Sequence, residues 1–190
     1  MLKNLKEYDV ILGSNSPRRK ELLKGLDIDF QIVSNDVDET YPGHIVGVDI
    51  PVYLARKKAE SYRLTEKDLL ITADTIVWFH GEVYGKPPDK DAARQMLRTL
   101  SGNMHQVVTG VCIRTLHRQK VFHAVSDVYF SRFSEEEINY YLEHYQPYDK
   151  AGSYGVQEWI GYVGVERIEG SYYNVMGLPI QRLYKELKNW

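Results

Sequence analysis

The sequence predicts an α/β fold built on a mixed sheet with long central strands. Short apolar runs, typical of buried strands, alternate along the chain with segments whose apolar residues recur at helical spacing. Two long strand-like stretches, residues 106–115 and 120–130, follow one another in the second half. The sequence contains no internal repeat, low-complexity run or linker, so we expect a single domain over residues 1–190.

Composition agrees with one globular domain, or with one core divided into two lobes. The chain has 190 residues, of which 43% are hydrophobic and 26% charged, as is ordinary for globular proteins. The formal net charge is −2, so the protein has no overall basic field that would drive nonspecific nucleic-acid binding. We therefore expect no nucleic-acid partner, and any site for a polyanion must be a local cluster.

The sequence also favours a cytoplasmic protein. Cys112 is the single cysteine, which excludes an internal disulfide, and its apolar surroundings predict a buried small hydrophobe. No apolar segment approaches the ~18 residues of a membrane span. The charged N-terminus, with Lys3 and Lys6 before a very short apolar run, does not resemble a signal peptide.

Apolar runs bounded by turn-forming residues predict the strands. The predicted strands are residues 10–12, 30–33, 69–72, 76–79, 82–84, 106–115 and 120–130. The third is expected to end at Ala73-Asp74-Thr75. His80-Gly81 then predicts the turn of a hairpin.

Helix starts are marked by capping residues and proline. Helices are predicted to begin at Pro17, at Pro51, after Asp89, and after Ser134, which forms a capping box with Glu137; a last helix covers residues 180–187. Residues 145–179 are rich in Gly and Tyr and are expected to form irregular structure around a strand.

The connection between the first strand and the first helix is a candidate anion site. Ser16 occupies the N-cap position and Pro17 the first helical position. Free N–H groups and the positive end of the helix dipole therefore point at the bend that contains Ser14. Arg18 and Arg19 lie in the first turn, where cations are unfavourable unless an anion is near. Either they bind phosphate, or both are solvated surface residues.

Charged side chains at other element ends could complete such a site. Asp74 is expected just past the carboxyl end of a buried strand, where α/β proteins place ligands, although turn or cap residues also occur there. Lys58 adjoins Ala59, expected to be buried, so it either reaches into a cleft or belongs to a solvated face. Lys86 lies in a rigid Gly-Lys-Pro turn. Each signal is weak by itself.

Acidic residues offer candidate metal ligands. Asp36, Asp38 and Glu39 follow the second predicted strand, and such loops are either solvated or bind hard metal ions. Together with the cations and Asp74, they form a set that a Mg²⁺-triphosphate site needs. The six histidines lack zinc-binding spacing, and His105 either touches phosphate or makes a structural hydrogen bond. Walker, dinucleotide and Gly-x-Ser-x-Gly motifs are absent from the sequence.

Several short segments, in a fixed order over nearly the whole chain, resemble the Maf family of nucleoside triphosphate pyrophosphatases. The matching segments are residues 14–19 (Ser-Asn-Ser-Pro-Arg-Arg), 38–39, 55–59, 73–75, 85–87, 101–105, 149–157 (Asp-Lys-Ala-Gly-Ser-Tyr-Gly-Val-Gln) and 170–179. The resemblance implies an inosine-triphosphatase-like fold: an elongated, bent mixed sheet flanked by helices, with two lobes around a cleft. It implies hydrolysis of a nucleoside triphosphate to the monophosphate and pyrophosphate with Mg²⁺ or Mn²⁺, in a cytoplasmic enzyme that is often a homodimer.

The resemblance also assigns roles to residues. Asp74 matches the proposed catalytic base, and Glu39, Lys58 and Lys86 match charged residues of the site. We expect the metal to bridge the triphosphate and carboxylates that include Glu39 or Asp74. One departure is Gln146-Pro147, where many relatives have Glu-Pro. If that carboxylate assists the metal, the rate or the metal preference differs here.

Other matching positions concern substrate choice. Arg18, Thr75 and Gln157 match positions tied to it, and Ser14 and Arg19 belong to the expected phosphate-binding segment. The Ser-Pro-Arg-Arg and Asp-Thr motifs resemble a branch that prefers dTTP and UTP; a sister branch acting on 7-methyl-GTP has tryptophan after the proline and Asp-Gln. The donor and acceptor of the Gln157 amide match the O4 and N3–H edge of a pyrimidine.

Two other functions remain open from the sequence. One is house-cleaning hydrolysis of inosine or xanthosine triphosphate, which shares the reaction. The other is a nucleotide-binding regulator of cell division without useful turnover. The presence of Asp74, Lys58 and Lys86 together favours chemistry over binding alone.

Overall fold

The computed structural model describes residues 2–34 and 37–190 of the chain. Its strands form one seven-stranded sheet. They are β1 (Asp9–Leu12), β2 (Gln31–Ile32), β3 (Asp68–Phe79), β4 (Glu82–Tyr84), β5 (Met104–Arg114), β6 (Gln119–Phe130) and β7 (Val165–Glu169). The α-helices are α1 (Pro17–Lys24), α2 (Asp49–Glu60), α3 (Lys90–Leu100), α4 (Glu135–Tyr145), α5 (Trp159–Gly164), α6 (Tyr172–Val175) and α7 (Ile180–Lys188). Short 3-10 turns cover Lys3–Leu5 and Ala151–Ser153.

The sheet is mixed, as predicted. Its strands lie in the order β2-β1-β3-β5-β6-β7, and β4 pairs with β3. The pairs β1–β2 and β1–β3 are parallel, whereas β3–β4 and β6–β7 are antiparallel. His80 and Gly81 both adopt positive φ, which matches the primed turns favoured in two-residue hairpins and explains the β3–β4 connection.

Capping chemistry sets the helix starts that the sequence predicted. The Ser16 hydroxyl accepts the Arg19 N–H at 3.4 Å, with proline in the first turn of α1. Asp89 accepts the Ala92 N–H at 2.8 Å at the start of α3. Ser134 forms the predicted capping box at the start of α4. Each cap satisfies backbone donors that the first helical turn cannot pair internally.

The chain forms two compact units. The first contains the described residues up to Asp74, together with residues 109–124 and 177–190. Part of its core is a buried cluster in which two residues of α2 pack with one of β3 and one of β5: Ala55, Ala59, Leu70 and Cys112. Burial raises the pKa of the Cys112 thiol to about 11, which agrees with its predicted role as a small hydrophobe.

The second unit contains residues 75–108 and 125–176. Helices α3 and α4 pack together in it and bury, among others, Leu97, Leu100, Ile138 and Leu142. None of the helices in the described ranges is both long and apolar enough to cross a membrane. The predicted single domain with two lobes around a cleft stays a prediction.

Several predicted elements differ from those in the structure. The strand expected to end at Ala73-Asp74-Thr75 continues to Phe79, because β3 passes from pairing with β1 to pairing with β4. The second strand is only Gln31–Ile32, and α2 begins at Asp49, before its proline. The Gly-rich region 145–179 contains α5 and α6, whose few residues give too short a pattern to recognise. The predicted acidic residue Asp36 lies outside the described residues.

Candidate active site

A lysine shared by two carboxylates forms the centre of the candidate site in the first unit. The Lys58 ammonium donates to Asp74 Oδ1 at 2.6 Å and to Glu39 Oε1 at 2.8 Å. Asp74 is 7% exposed, whereas Glu39 lies in an exposed loop. The prediction that Lys58 reaches past the buried Ala59 towards a polar site is consistent with this geometry. The hydrogen bond from the Lys58 ammonium group fixes the direction in which the buried Asp74 carboxylate points.

Thr72 attaches α2, which carries Lys58, to β3, which carries Asp74. The buried Thr72 hydroxyl donates to the Ala55 carbonyl at 2.6 Å, one helical turn before Lys58. A Cβ added at Gly13 would lie 2.8 Å from Thr72 Cγ2, so the β1–α1 connection passes directly over the threonine methyl group. One buried side chain therefore contacts both segments that bring cations towards Asp74.

Asp74 lies inside a strand and not past its end, contrary to the prediction. The last residue of β1, Leu12, pairs with Ile71, and Asp74 follows three residues later along β3. Asp74 is thus beyond the carboxyl end of its parallel neighbour β1. Ligands of α/β sheets bind beyond the carboxyl ends of parallel strands, and Asp74 occupies this position relative to β1.

The first turn of α1, directly after the β1–α1 connection, contributes two arginines. Arg19 Nε donates to the Gly177 carbonyl at 2.8 Å, and Nη1 lies 3.4 Å from Ser14 Oγ. Burial lowers the pKa of the Arg19 guanidinium, which the Asp74 carboxylate partly offsets, and the neighbouring cation Arg18 lowers it further. An arginine keeps its charge despite such shifts. Arg19 therefore joins the connection to the segment preceding α7, and the half-buried Arg18 adds a second positive charge.

The remaining predicted site residues belong to the second unit. Thr75 directly follows Asp74 in β3 and is half-buried, and Lys86 is exposed. The Gly152 N–H donates to the Gly85 carbonyl at 3.1 Å, so the turn that carries Lys86 is bonded to the segment that leads to Gln157. The placement of Lys86 and Gln157 next to Asp74 stays a prediction.

Gln157 has an unused acceptor. Its Oε1 atom is buried and has no hydrogen-bond partner among the described residues. Buried side-chain oxygens are almost always paired, and an exception needs an explanation such as a ligand. The side chain as a whole is half-buried. This observation agrees with the prediction that Gln157 contacts a substrate.

His105 has a structural environment. It is 1% exposed, and its Nε2 atom lies 2.7 Å from the Tyr154 hydroxyl. Burial lowers the pKa of His105 to about 3, so the ring is neutral at physiological pH. Of the two roles left open by the sequence, these contacts support the structural hydrogen bond.

Glu39 and Asp74 could hold a divalent metal together with a substrate. The described part of the chain contains no group of three or more His, Cys, Asp or Glu residues able to hold one. Mg²⁺, however, is commonly bound by one or two carboxylates with substrate phosphates and water. Both carboxylates contact the same ammonium group, and carboxylate oxygens are the ligand type that such an ion prefers. Gln146, the departure noted above, is exposed at the end of α4.

Sequence reasoning missed the residues that position the site. Thr72 was included in an apolar strand without a role. A hydroxyl two residues before Asp74 on the same face of a strand was the available signal. Gly110 was also missed: a Cβ there would lie 2.3 Å from the Pro51 carbonyl oxygen, so this glycine lets α2 approach β5. The carbonyl of Gly177, a partner of Arg19, gives no sequence signal.

Comparison with solved structures identifies the class of fold. The chain resembles a HAM1 protein from Coxiella burnetii, with a TM-score of 0.52 and 16% identity over 96% of this chain and 100% of that one. The Ham1 protein of Staphylococcus aureus gives a TM-score of 0.50 and 16% identity, covering 94% and 99%. At this identity the likeness concerns the fold alone, and it confirms the predicted fold class.

Sequence comparison identifies the family. The profile described as Maf-like protein matches residues 9–190, so the chain belongs to the Maf family. Proteins from Parabacteroides distasonis (58% identical, 100% of both chains) and Bacteroides thetaiotaomicron (59%, 99% of both) are named dTTP/UTP pyrophosphatase. A Flavobacterium johnsoniae protein with the same name is 46% identical over 98% of both chains. The resemblance inferred from the motifs is confirmed.

Proposed function

We propose that this protein hydrolyses dTTP and UTP to the monophosphate and pyrophosphate. The observation that carries the proposal is the buried Asp74 carboxylate joined through Lys58 to Glu39. It occurs in a chain 57% identical, over 100% of its length, to a Porphyromonas gingivalis protein that is also named dTTP/UTP pyrophosphatase. Two independent observations therefore support the proposal: the site contains a carboxylate fixed in position to act as a general base, and similar proteins share one named activity.

Asp74 is the group that prepares the attacking water. Its carboxylate accepts a proton from water, the water oxygen bonds to the α-phosphorus, and the bond to the bridging oxygen breaks so that pyrophosphate leaves. Lys58 directs the carboxylate through its 2.6 Å hydrogen bond. A positioned base of this kind contributes ~10²- to 10⁴-fold to the rate.

Cations and N–H groups offset the charge of the triphosphate. Arg18 and Lys86 provide positive charge, and the connection from Ser14 to Arg19 provides backbone N–H groups at a helix start. Glu39 and Asp74 would hold a Mg²⁺ or Mn²⁺ ion, which supplies charge neutralisation at the phosphate oxygens. Excess EDTA is therefore expected to abolish turnover, and activity that persists in the chelator would remove the metal from this proposal.

Gln157 selects the base. Its Oε1, which has no hydrogen-bond partner in the described part of the chain, accepts the N3–H of uracil or thymine, and its Nε2 donates to O4. Cytosine has an acceptor at N3 and a donor at C4, so it presents the opposite pattern. Thr75 is the second residue proposed to influence substrate choice, because it adjoins Asp74.

A panel of nucleoside triphosphates with Mg²⁺, assayed for pyrophosphate release, tests the proposal. We expect UTP and dTTP to give the highest kcat/KM. Higher values for inosine or xanthosine triphosphate would identify a house-cleaning purine enzyme instead. Tight binding without pyrophosphate release would favour a nucleotide-binding regulator of cell division. A homodimer and a cytoplasmic location remain predictions.

A further inference from the structure

A tight turn carries Gln157, and its two ends meet at one hydroxyl group. The Glu158 N–H donates to the Gly155 carbonyl at 3.0 Å, so residues 155–158 form a β-turn with Gln157 as the third residue. We propose that the Tyr141 hydroxyl is a positioning group for Gln157 and thereby helps to set base selection. The proposal rests on the function proposed above.

The Tyr141 oxygen contacts both ends of the turn. It accepts the Gly155 N–H at 3.0 Å and donates to Glu158 Oε2 in a short hydrogen bond. Tyr141 is fully buried in α4, an element of the same unit. A rigid helix therefore holds the first and last residues of the turn by a single atom.

Lys150 also contacts Glu158, whose carboxylate accepts this bond. Its Nζ atom lies 3.1 Å from Glu158 Oε1 and 2.7 Å from Asp149 Oδ1, and its side chain is 9% exposed. Burial, together with the Glu158 carboxylate, raises the pKa of the Tyr141 hydroxyl, so that it keeps its proton and acts as the donor. Charge-assisted bonds of this kind are shorter and stronger than neutral ones.

The turn and the helix that follows it are closely packed. A Cβ at Gly155 would lie 2.7 Å from Glu158 Cδ, and a Cβ at Gly161 would lie 1.8 Å from the Val156 carbonyl oxygen. The Gln157 amide oxygen has no hydrogen-bond partner within the described chain, so backbone position largely determines where this acceptor lies. Any loosening of the turn therefore reaches the amide directly.

Tyr141→Phe tests the proposal because it removes only the hydroxyl. We expect the ratio of kcat/KM for UTP to that for ATP to fall ~3- to 10-fold, within the range of one buried hydrogen bond. The loss should appear as a raised KM for UTP, with kcat for ATP unchanged. Glu158→Gln, which removes the charge that the hydroxyl and Lys150 share, should shift the ratio in the same direction.

Two tyrosines provide matched controls. Tyr154→Phe removes a buried hydroxyl three residues from Gln157 that contacts His105 and not the turn ends. Tyr140→Phe removes an exposed hydroxyl from the same helix as Tyr141. Both variants should keep the wild-type ratio, even where Tyr154→Phe lowers the melting temperature.

Three results would overturn the inference. One is an unchanged ratio in folded Tyr141→Phe and Glu158→Gln. Another is a ratio that falls equally in Tyr154→Phe, since that would indicate general destabilisation. Gln157→Ala, assayed in parallel, separates base selection by Gln157 from the positioning role of Tyr141. If Gln157→Ala lowers the ratio while Tyr141→Phe does not, only the positioning role fails. If Gln157→Ala leaves the ratio unchanged, base selection by Gln157 and the positioning role fail together.

Discussion

Replacing Asp74 by Asn removes the charge at the centre of the candidate site while keeping its shape. The carboxylate is 7% exposed and accepts a 2.6 Å hydrogen bond from Lys58. An amide can still accept that bond through Oδ1, but it cannot take a proton from water. We therefore expect kcat to fall ~10²- to 10⁴-fold. The loss would be larger if the metal is held less well.

The same geometry predicts a small effect on stability. Lys58 keeps its 2.8 Å bond to Glu39, so it does not become an unpaired buried charge. Exchanging a bond to a charged acceptor for one to a neutral acceptor costs about 1 kcal/mol. For a chain of 190 residues, this corresponds to a decrease in melting temperature of roughly 2–4 °C.

The assay is pyrophosphate release from UTP with Mg²⁺, paired with thermal unfolding of the same samples. Asp9→Asn is the matched control, because it makes the same chemical change at an exposed residue of β1 in the same unit. The control should retain wild-type turnover. A folded Asp74→Asn variant with near-normal kcat would refute the reasoning and assign the base to another residue.

Three further predictions concern phosphate binding by Arg18, base selection by Gln157 and the buried ring of His105. Arg18→Ala should lower kcat/KM for UTP and ATP by a similar ~10- to 100-fold, since both carry the same anion; a loss confined to UTP would move Arg18 to base selection. Gln157→Ala should lower kcat/KM about three- to twelve-fold more for UTP than for ATP, and equal losses would contradict base selection. Burial lowers the pKa of His105 from 6.5 to about 3, so the unfolded chain binds a proton below pH 6.5 that the folded protein excludes. The contribution of the neutral His105 ring to the free energy of unfolding is complete above pH 6.5 and is ~3 kcal/mol smaller at pH 4.5. Urea unfolding at pH 7 and 4.5 should therefore show a smaller loss of unfolding free energy at the lower pH for His105→Gln than for the wild type. Equal losses in the wild type and the variant would argue against a buried neutral His105.

Much of the fold could be predicted because local signals and tertiary packing agree. Ser16, Asp89 and Ser134 start their helices as their capping chemistry predicts. The failure at Asp74 has a physical cause. A polar residue in an apolar run resembles a strand end, but here β3 continues because a second neighbour, β4, pairs with it.

The sequence predicted residues for the candidate site but not the contacts that join them. Charge and position selected Lys58 and Asp74, since cations near a predicted strand end are visible in the sequence. The Thr72 bond to the Ala55 carbonyl depends on how α2 packs against β3, and no local pattern encodes that distance. The contacts of the Tyr141 hydroxyl with Gly155 and Glu158 were missed for the same reason, since they depend on tertiary packing.

Hydrolysis of UTP in ¹⁸O-labelled water tests the central claim most directly. If Asp74 directs water to the α-phosphorus, one labelled oxygen should appear in the uridine monophosphate and none in the pyrophosphate, as measured by mass spectrometry of the separated products. Label in the pyrophosphate, or uridine diphosphate and orthophosphate as the first products, would contradict the account.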